Sequence, residues 1–289
     1  TTVAAFAAGV GGADTVHVHP FDSAIPGGLP GTSPTFSRRI ARNTQLLLLE
    51  ESHLGQVLDP GAGSWYVEDL TRSLAEQAWT HFRDIENRGG FVAARDYITE
   101  QIDEIWRRRR DDIAHRRTAI TGVNEFPNLD EPPLPKSDPV PGVNRYAADF
   151  EALRDRSDAY LAEHGERPKA LLLPLGPLAE HNVRTTFATN LLAAGGIEAV
   201  NPGTVDAAGV AAAVADGPKT AAVVCGTDAR YAEEASDVIA AARAAGVAHV
   251  YLAGPEQAVA DAAHKPDEYL TAKIDAIAAL STLLTRLGA

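Results

Sequence analysis

Ala170-Leu171-Leu172-Leu173-Pro174-Leu175-Gly176-Pro177-Leu178-Ala179-Glu180-His181-Asn182-Val183 is the stretch that decides the fold. Four apolar residues closed by Pro174 read as a short buried strand, too brief for a helix. After the Gly176-Pro177 break, a helix is expected over Glu180–Ala194, with Val183, Phe187, Leu191 and Leu192 as its apolar stripe. Gly195-Gly196 then stops it. The same alternation runs on. Strands are expected at Ile197–Val200, Thr220–Cys225 and Ala248–Leu252. Helices are expected at 207–215, at 231–245 with Gly246 as stop, and at 275–287 with Ile277, Leu280, Leu284 and Leu287 on one side. Strand–helix alternation implies an α/β fold, a mostly parallel doubly wound sheet covered on both faces. Ligands of such sheets sit beyond the carboxyl ends of the strands. That rim is here Leu175–His181, Asn201–Thr204, Gly226–Arg230 and Ala253–Glu256.

Upstream the pattern differs. Pro127, Pro132, Pro133, Pro135, Pro139 and Pro141 form an extended connector that cannot be helical. Domain boundaries are therefore expected as 1–126, a linker over 127–150, and 151–289. Within the first part, Val16-His17-Val18-His19 alternates as a barrel-type strand would. Ser33-Pro34 is a helix N-cap followed by a first-turn proline. Further helices are expected over 66–87, stopped by Gly89, and over 91–118. The last carries Arg107–Arg110, which read as solvated positions with local ion pairs.

Bulk properties exclude several classes. The 289 residues, 45% apolar and 22% charged, suit a soluble chain of two domains. No run approaches the roughly 20 apolar residues of a membrane span, and no signal peptide is legible, so no membrane association and a cytoplasmic location are expected. A formal charge of −13 argues against nucleic acid as a partner. The single cysteine, Cys225, rules out an intrachain disulfide and reads as a buried strand residue. Methionine is absent even at position 1, from which an excised piece of a longer chain is expected.

Three further stretches carry a resemblance. They are Arg39-Ile40-Ala41-Arg42-Asn43-Thr44-Gln45-Leu46-Leu47-Leu48, then Asp59-Pro60-Gly61-Ala62-Gly63-Ser64-Trp65-Tyr66-Val67-Glu68, then Thr121-Gly122-Val123-Asn124-Glu125-Phe126-Pro127. In order and spacing they resemble the late barrel segment, the glycine-rich helix entry and the barrel exit of methylmalonyl-CoA mutases. The resemblance extends more loosely to the C-terminus, where that family places a flavodoxin-like cobalamin-binding domain. It implies the C-terminal part of a TIM-barrel domain followed by that domain. A whole barrel takes about 250 residues, more than precede the connector.

Carried over residue by residue, the resemblance also implies what is lost. The family's D-x-H-x-x-G motif after the first strand supplies a histidine to cobalt, an aspartate that bonds the other imidazole nitrogen, and a glycine that makes room for the nucleotide tail. Here the three positions are Ala179, His181 and Arg184. His181 is thus the one candidate cofactor-binding residue, in a degenerate motif. The S-x-L signature after the third strand has become Gly226-Thr227-Asp228, which sets a charge against an apolar tail. The later glycine-rich turn is reduced to Ala253-Gly254-Pro255-Glu256. His17-Val18-His19-Pro20-Phe21-Asp22-Ser23 stands where the family reads roughly H-T-N-A-L-D-E, in a segment that touches the corrin and the adenosyl group. His17 and Asp22 match, the asparagine is His19, and the glutamate that contacts the adenosyl ribose is Ser23. His17 and His19 share a strand face but lack a third metal ligand nearby in sequence, so a packed or hydrogen-bonded pair is expected.

The resemblance therefore implies the small, non-catalytic subunit of a heterodimeric adenosylcobalamin-dependent enzyme. The large subunit is its partner and the holder of cofactor and substrate, and this chain contributes no catalytic or metal residue. Two alternatives stay open: a catalytic cobalamin-binding subunit with atypical motifs, and a flavodoxin-like module for another small ligand, for which Arg184 and Arg230 favour an anion. A nicotinamide enzyme is disfavoured, because Gly9-Val10-Gly11-Gly12 lacks a strand–turn–helix context.

Overall fold

The computed structural model describes residues 1–131 and 144–289. Contacts divide them into two compact units, Thr1–Asp103 and Glu104–Glu131 with 144–289. Pro132, Pro133, Pro135, Pro139 and Pro141 of the expected connector lie outside the described residues.

The second unit is built on five parallel strands: β1 (Lys169–Pro174), β2 (Glu198–Val200), β3 (Ala221–Cys225), β4 (His249–Leu252) and β5 (Glu268–Tyr269). Their order in the sheet is 2-1-3-4-5. The central strands β1 and β3 pair Leu171 with Ala222 and Pro174 with Cys225. Alternate side chains enter two separate cores. Leu172, Val223 and Tyr251 pack with Phe150, Leu191, Leu192, Leu280 and Leu284 on one face. Leu171, Leu173, Val224 and Leu252 pack with Val210, Val214, Tyr231, Val238 and Ile239 on the other. Burying both faces explains why β1 and β3 are uninterrupted apolar runs. Each such leucine contributes about 1.5–3 kcal/mol on burial.

The helices covering these faces are α6 (Ala148–His164), α7 (Leu178–Ala194), α8 (Val210–Ala215), α9 (Asp228–Arg230), α10 (Ser236–Ala244) and α11 (Ala276–Arg286). A π turn at Tyr231–Ala235 joins α9 to α10. The α7 helix ends at Gly195-Gly196, where Gly196 has φ +79° and a β-carbon would lie 2.5 Å from that of Ser157. Glycine is therefore required there on two counts.

The first unit is helical: α1 (Thr2–Val10), α2 (Pro34–Leu46), α3 (Trp65–Asn87), α4 (Gly90–Ala93) and the start of α5 (Arg95–Ala114). The Ser33 hydroxyl accepts from the Phe36 amide at 3.2 Å, as the sequence predicts. The expected helix over 91–118 is broken at Ala94 and ends at Ala114. Val16–His19 is a correction. It forms no strand and makes no ladder among the described residues; the Val16 carbonyl accepts instead from the Gln45 side chain at 3.3 Å.

Of the Arg107–Arg110 run, the first two make the expected local pairs and the last two reach across to residues far along the chain. Arg107 and Arg108 reach Glu104, Arg109 donates to the Tyr146 hydroxyl at 2.6 Å, and Arg110 holds Asp149 with two bonds of 2.6 and 2.8 Å. Beyond α5, Asn124 is fully buried. Its amide donates to the Ile113 and Thr118 carbonyls and accepts from the Ile120 amide at 2.7 Å. Asn190 on α7 holds the same loop by accepting from the Phe126 amide at 2.6 Å and donating to Glu125. No helix among the described residues is long and apolar enough to cross a membrane.

Candidate functional site

The rim beyond the carboxyl ends of β1, β3 and β4 gathers the residues singled out in the sequence. His181 lies in the first turn of α7, with 4% of its surface exposed. Here the expected stripe needs correction. Val183 is 75% exposed, and the inward face of α7 runs His181, Thr185, Ala188, Leu191, Leu192. Two polar types at the head of that face hid its period. Thr185 is accommodated by donating back to the His181 carbonyl at 3.2 Å. The Nδ1 atom of His181 is buried and has no hydrogen-bond partner. Ala179, two residues earlier, has only a methyl side chain and can accept no hydrogen bond.

Around His181 the charged residues are paired. Arg184 donates to Asp228 at 3.1 Å, joining two of the positions at which the resemblance implies a lost motif. Asp228 is thus ion-paired while most of its side chain stays exposed. Asp206 accepts from the Gly209 amide at 2.8 Å ahead of α8. Arg230 donates to Glu180 at 2.6 Å and to Glu234 at 2.5 Å. The guanidinium holds the Glu180 carboxyl below its usual range. The Arg230 guanidinium also lies over Gly176 (φ +73°), where a β-carbon would stand 2.7 Å from Nε. Both arginines that could attract an anion are thereby matched with carboxylates.

Tyr231 is the residue that sequence reasoning passed over. It is fully buried between the ends of β3 and β4. Its hydroxyl accepts from the Gly226 amide at 2.8 Å and donates to the Ala253 carbonyl at 2.8 Å. Burial pushes its ionisation up. The signal was present: one aromatic residue in an alanine-rich helix, between two strand-end turns each carrying a glycine. Cys225 is buried at the end of β3, as expected, and desolvation raises its thiol pKa, so it is an inert core residue.

In the first unit, His17 and His19 are exposed and their rings lie 4.3 Å apart at 35°. Asp22 is buried and accepts from the Leu29 amide at 3.2 Å. No group of three histidine, cysteine or acidic residues able to hold a metal occurs among the described residues. A cavity of about 470 Å³ in this unit is lined by Val16, Val18, Leu48, Leu54 and neighbours.

Comparison with known proteins places this geometry. A family model described as "Methylmalonyl-CoA mutase" matches residues 1–166. A "Probable methylmalonyl-CoA mutase small subunit" from Mycobacterium bovis is 70% identical over all 289 residues, which cover 47% of that protein. A "Methylmalonyl-CoA mutase small subunit" from Streptomyces virginiae is 48% identical over the whole chain and 47% of its own length. One of that name from Propionibacterium freudenreichii subsp. shermanii is 34% identical over 99% of the chain and 46% of its own. The chain thus spans about half the length of the curated relatives it matches. With over half of the chain matched by the family model and all of it by small-subunit relatives, this chain belongs to the methylmalonyl-CoA mutase family.

Proposed function

We propose that the chain is part of the non-catalytic small subunit of a heterodimeric adenosylcobalamin-dependent methylmalonyl-CoA mutase, and that its own cobalamin-type domain does not hold the cofactor. The large subunit would bind adenosylcobalamin and substrate and interconvert methylmalonyl-CoA and succinyl-CoA. Residues 1–126 are proposed as the last part of a barrel domain, 127–150 as a linker and 151–289 as a flavodoxin-like domain of degenerate cobalamin-binding type, although contacts group Glu104–Glu131 with the sheet unit and α6 begins at Ala148, inside that linker. The sheet order 2-1-3-4-5 supports the last assignment.

One observation carries the reading: the orphaned Nδ1 of His181. A metal-ligating imidazole donates its second nitrogen to an acceptor that fixes tautomer and basicity. Ala179 cannot be that acceptor. The residues present do not fit the cofactor on a second count, since the Arg184–Asp228 ion pair spans positions where the family needs a glycine and an apolar wall. His181 is better read as a packed core histidine. The exposed Trp65, Leu74, Trp79 and Phe82 on α3, which has no buried residue, support a further protein surface over the first unit. The proposed site of action is the cytosol.

The test is an absorbance spectrum of the chain mixed with adenosylcobalamin and separated from free cofactor. The expected result is the spectrum of protein alone. Stoichiometric retention with a histidine-ligated spectrum would defeat the proposal.

A further inference from the structure

We infer that Tyr231 is a built-in occupant of the sheet rim, filling and hydrogen-bonding a slot that would accept a free phenol-like ring in its place. The slot has walls of its own. A β-carbon on Gly226 would lie 3.2 Å from Leu175 Cβ and 3.3 Å from Tyr231 Cε1. One on Gly254 would lie 2.8 Å from Tyr231 Cε2. The two ring edges therefore rest against two strand-end glycines, and neither wall has a side chain of its own at the contact. The floor is polar and directional. The Gly226 amide donates to the hydroxyl, and the Ala253 carbonyl accepts from it, each at 2.8 Å. The Val224 carbonyl lies 3.3 Å away as a second acceptor.

A guest must therefore be flat, ring-sized and carry one hydroxyl at its edge. A ring without the hydroxyl would leave the buried Gly226 amide and Ala253 carbonyl unsatisfied. Apolar cavities opened by truncation accept matching aromatic guests, and the polar floor here adds selection among them. Arg230, the neighbouring residue, covers Gly176 in the same manner and stays tied to Glu180 and Glu234. The rim is thus closed by two consecutive side chains of the chain itself. The inference deepens the proposed loss of cobalamin binding and rests on that reading for what the rim once held. Its test is separate, because phenol binding is scored whether or not the chain takes up a corrin.

The experiment titrates the Tyr231→Ala chain with phenol, and with toluene as a shape control. It follows the thermal midpoint by circular dichroism and the Gly226 amide by nuclear magnetic resonance. Phenol at millimolar concentration is expected to raise the midpoint of the variant and shift the Gly226 resonance. Toluene should do neither, and the unsubstituted chain should ignore phenol. No response to phenol, or an equal response to toluene, would overturn the inference. If Tyr231→Ala does not fold alone, it is refolded with and without phenol, where recovery only with phenol supports the inference and no recovery overturns it; Tyr231→Phe tests the floor. Hydrogen exchange at the Gly226 amide should accelerate about tenfold or more as its acceptor is removed, with Val223 unchanged. Unchanged exchange at Gly226 would show that the hydroxyl does not hold the floor.

Discussion

At the scale of single residues, the rim is governed by which polar atoms find partners. Tyr231 satisfies two backbone groups that would otherwise be buried and unpaired. Tyr231→Phe should therefore cost about 1–3 kcal/mol, measured as a shift in urea midpoint without a change in slope. The same phenol gives an alkaline limb. Burial raises its pKa in the folded chain, while the unfolded chain ionises near 10. Its contribution is complete below about pH 10 and is lost as pH rises beyond it, so Tyr231→Phe should flatten that part of the stability profile. Glu180 works at the acid end. Arg230 holds its carboxyl below the usual range, so the pair contributes above the unfolded value near 4.3 and is lost as pH falls through the depressed one. Glu180→Gln should remove that acid dependence. Little else should change, because a pair this exposed is screened by solvent. A sequence shows residue types but not which atoms stay unpaired, so the His181 motif was legible while its orphaned Nδ1 was not.

Elements made mostly of one residue type were the legible ones. β1, β3 and β4 follow from their apolar runs because both sheet faces are buried. Ser33 and Asp275 were readable as helix boundaries, and both accept the amide three residues on. Four features were not readable. β5 is two residues long and carries no pattern. The α6 helix follows the proline-rich stretch and buries only Phe150, Leu153 and Ser157 along 17 residues. The π turns at Leu47–Glu51 and Tyr231–Ala235 insert a residue without a composition cue. Val16–His19 shows that alternation describes a candidate strand, while pairing depends on a neighbour. Element packing gives a prediction at the strand ends. Gly254→Ala sets a β-carbon 2.8 Å from the Tyr231 ring and should cost about 1–3 kcal/mol. Combined with Tyr231→Ala it should cost less, with only the Leu252 Cδ2 contact at 3.1 Å remaining, a coupling that a double-mutant cycle reads directly. On α7, Asn190→Ala should release the Phe126 amide and speed proteolysis within 115–131, leaving exchange in β1 and β3 unchanged.

For the molecule as a whole, the two units differ in how completely they bury themselves. The sheet unit has two closed cores, whereas the helical unit leaves Trp65, Trp79, Phe82 and Phe91 exposed. A subunit that takes its stability from an assembly and leaves the chemistry to its partner would show this contrast. On the proposed reading, that division of labour fixes the number of cofactors. The most direct measurement is the cobalt content, by atomic absorption, of the proposed two-subunit mutase assembled with this chain, saturated with adenosylcobalamin and freed of excess. One cobalt per pair of subunits is predicted, and two per pair would contradict the account.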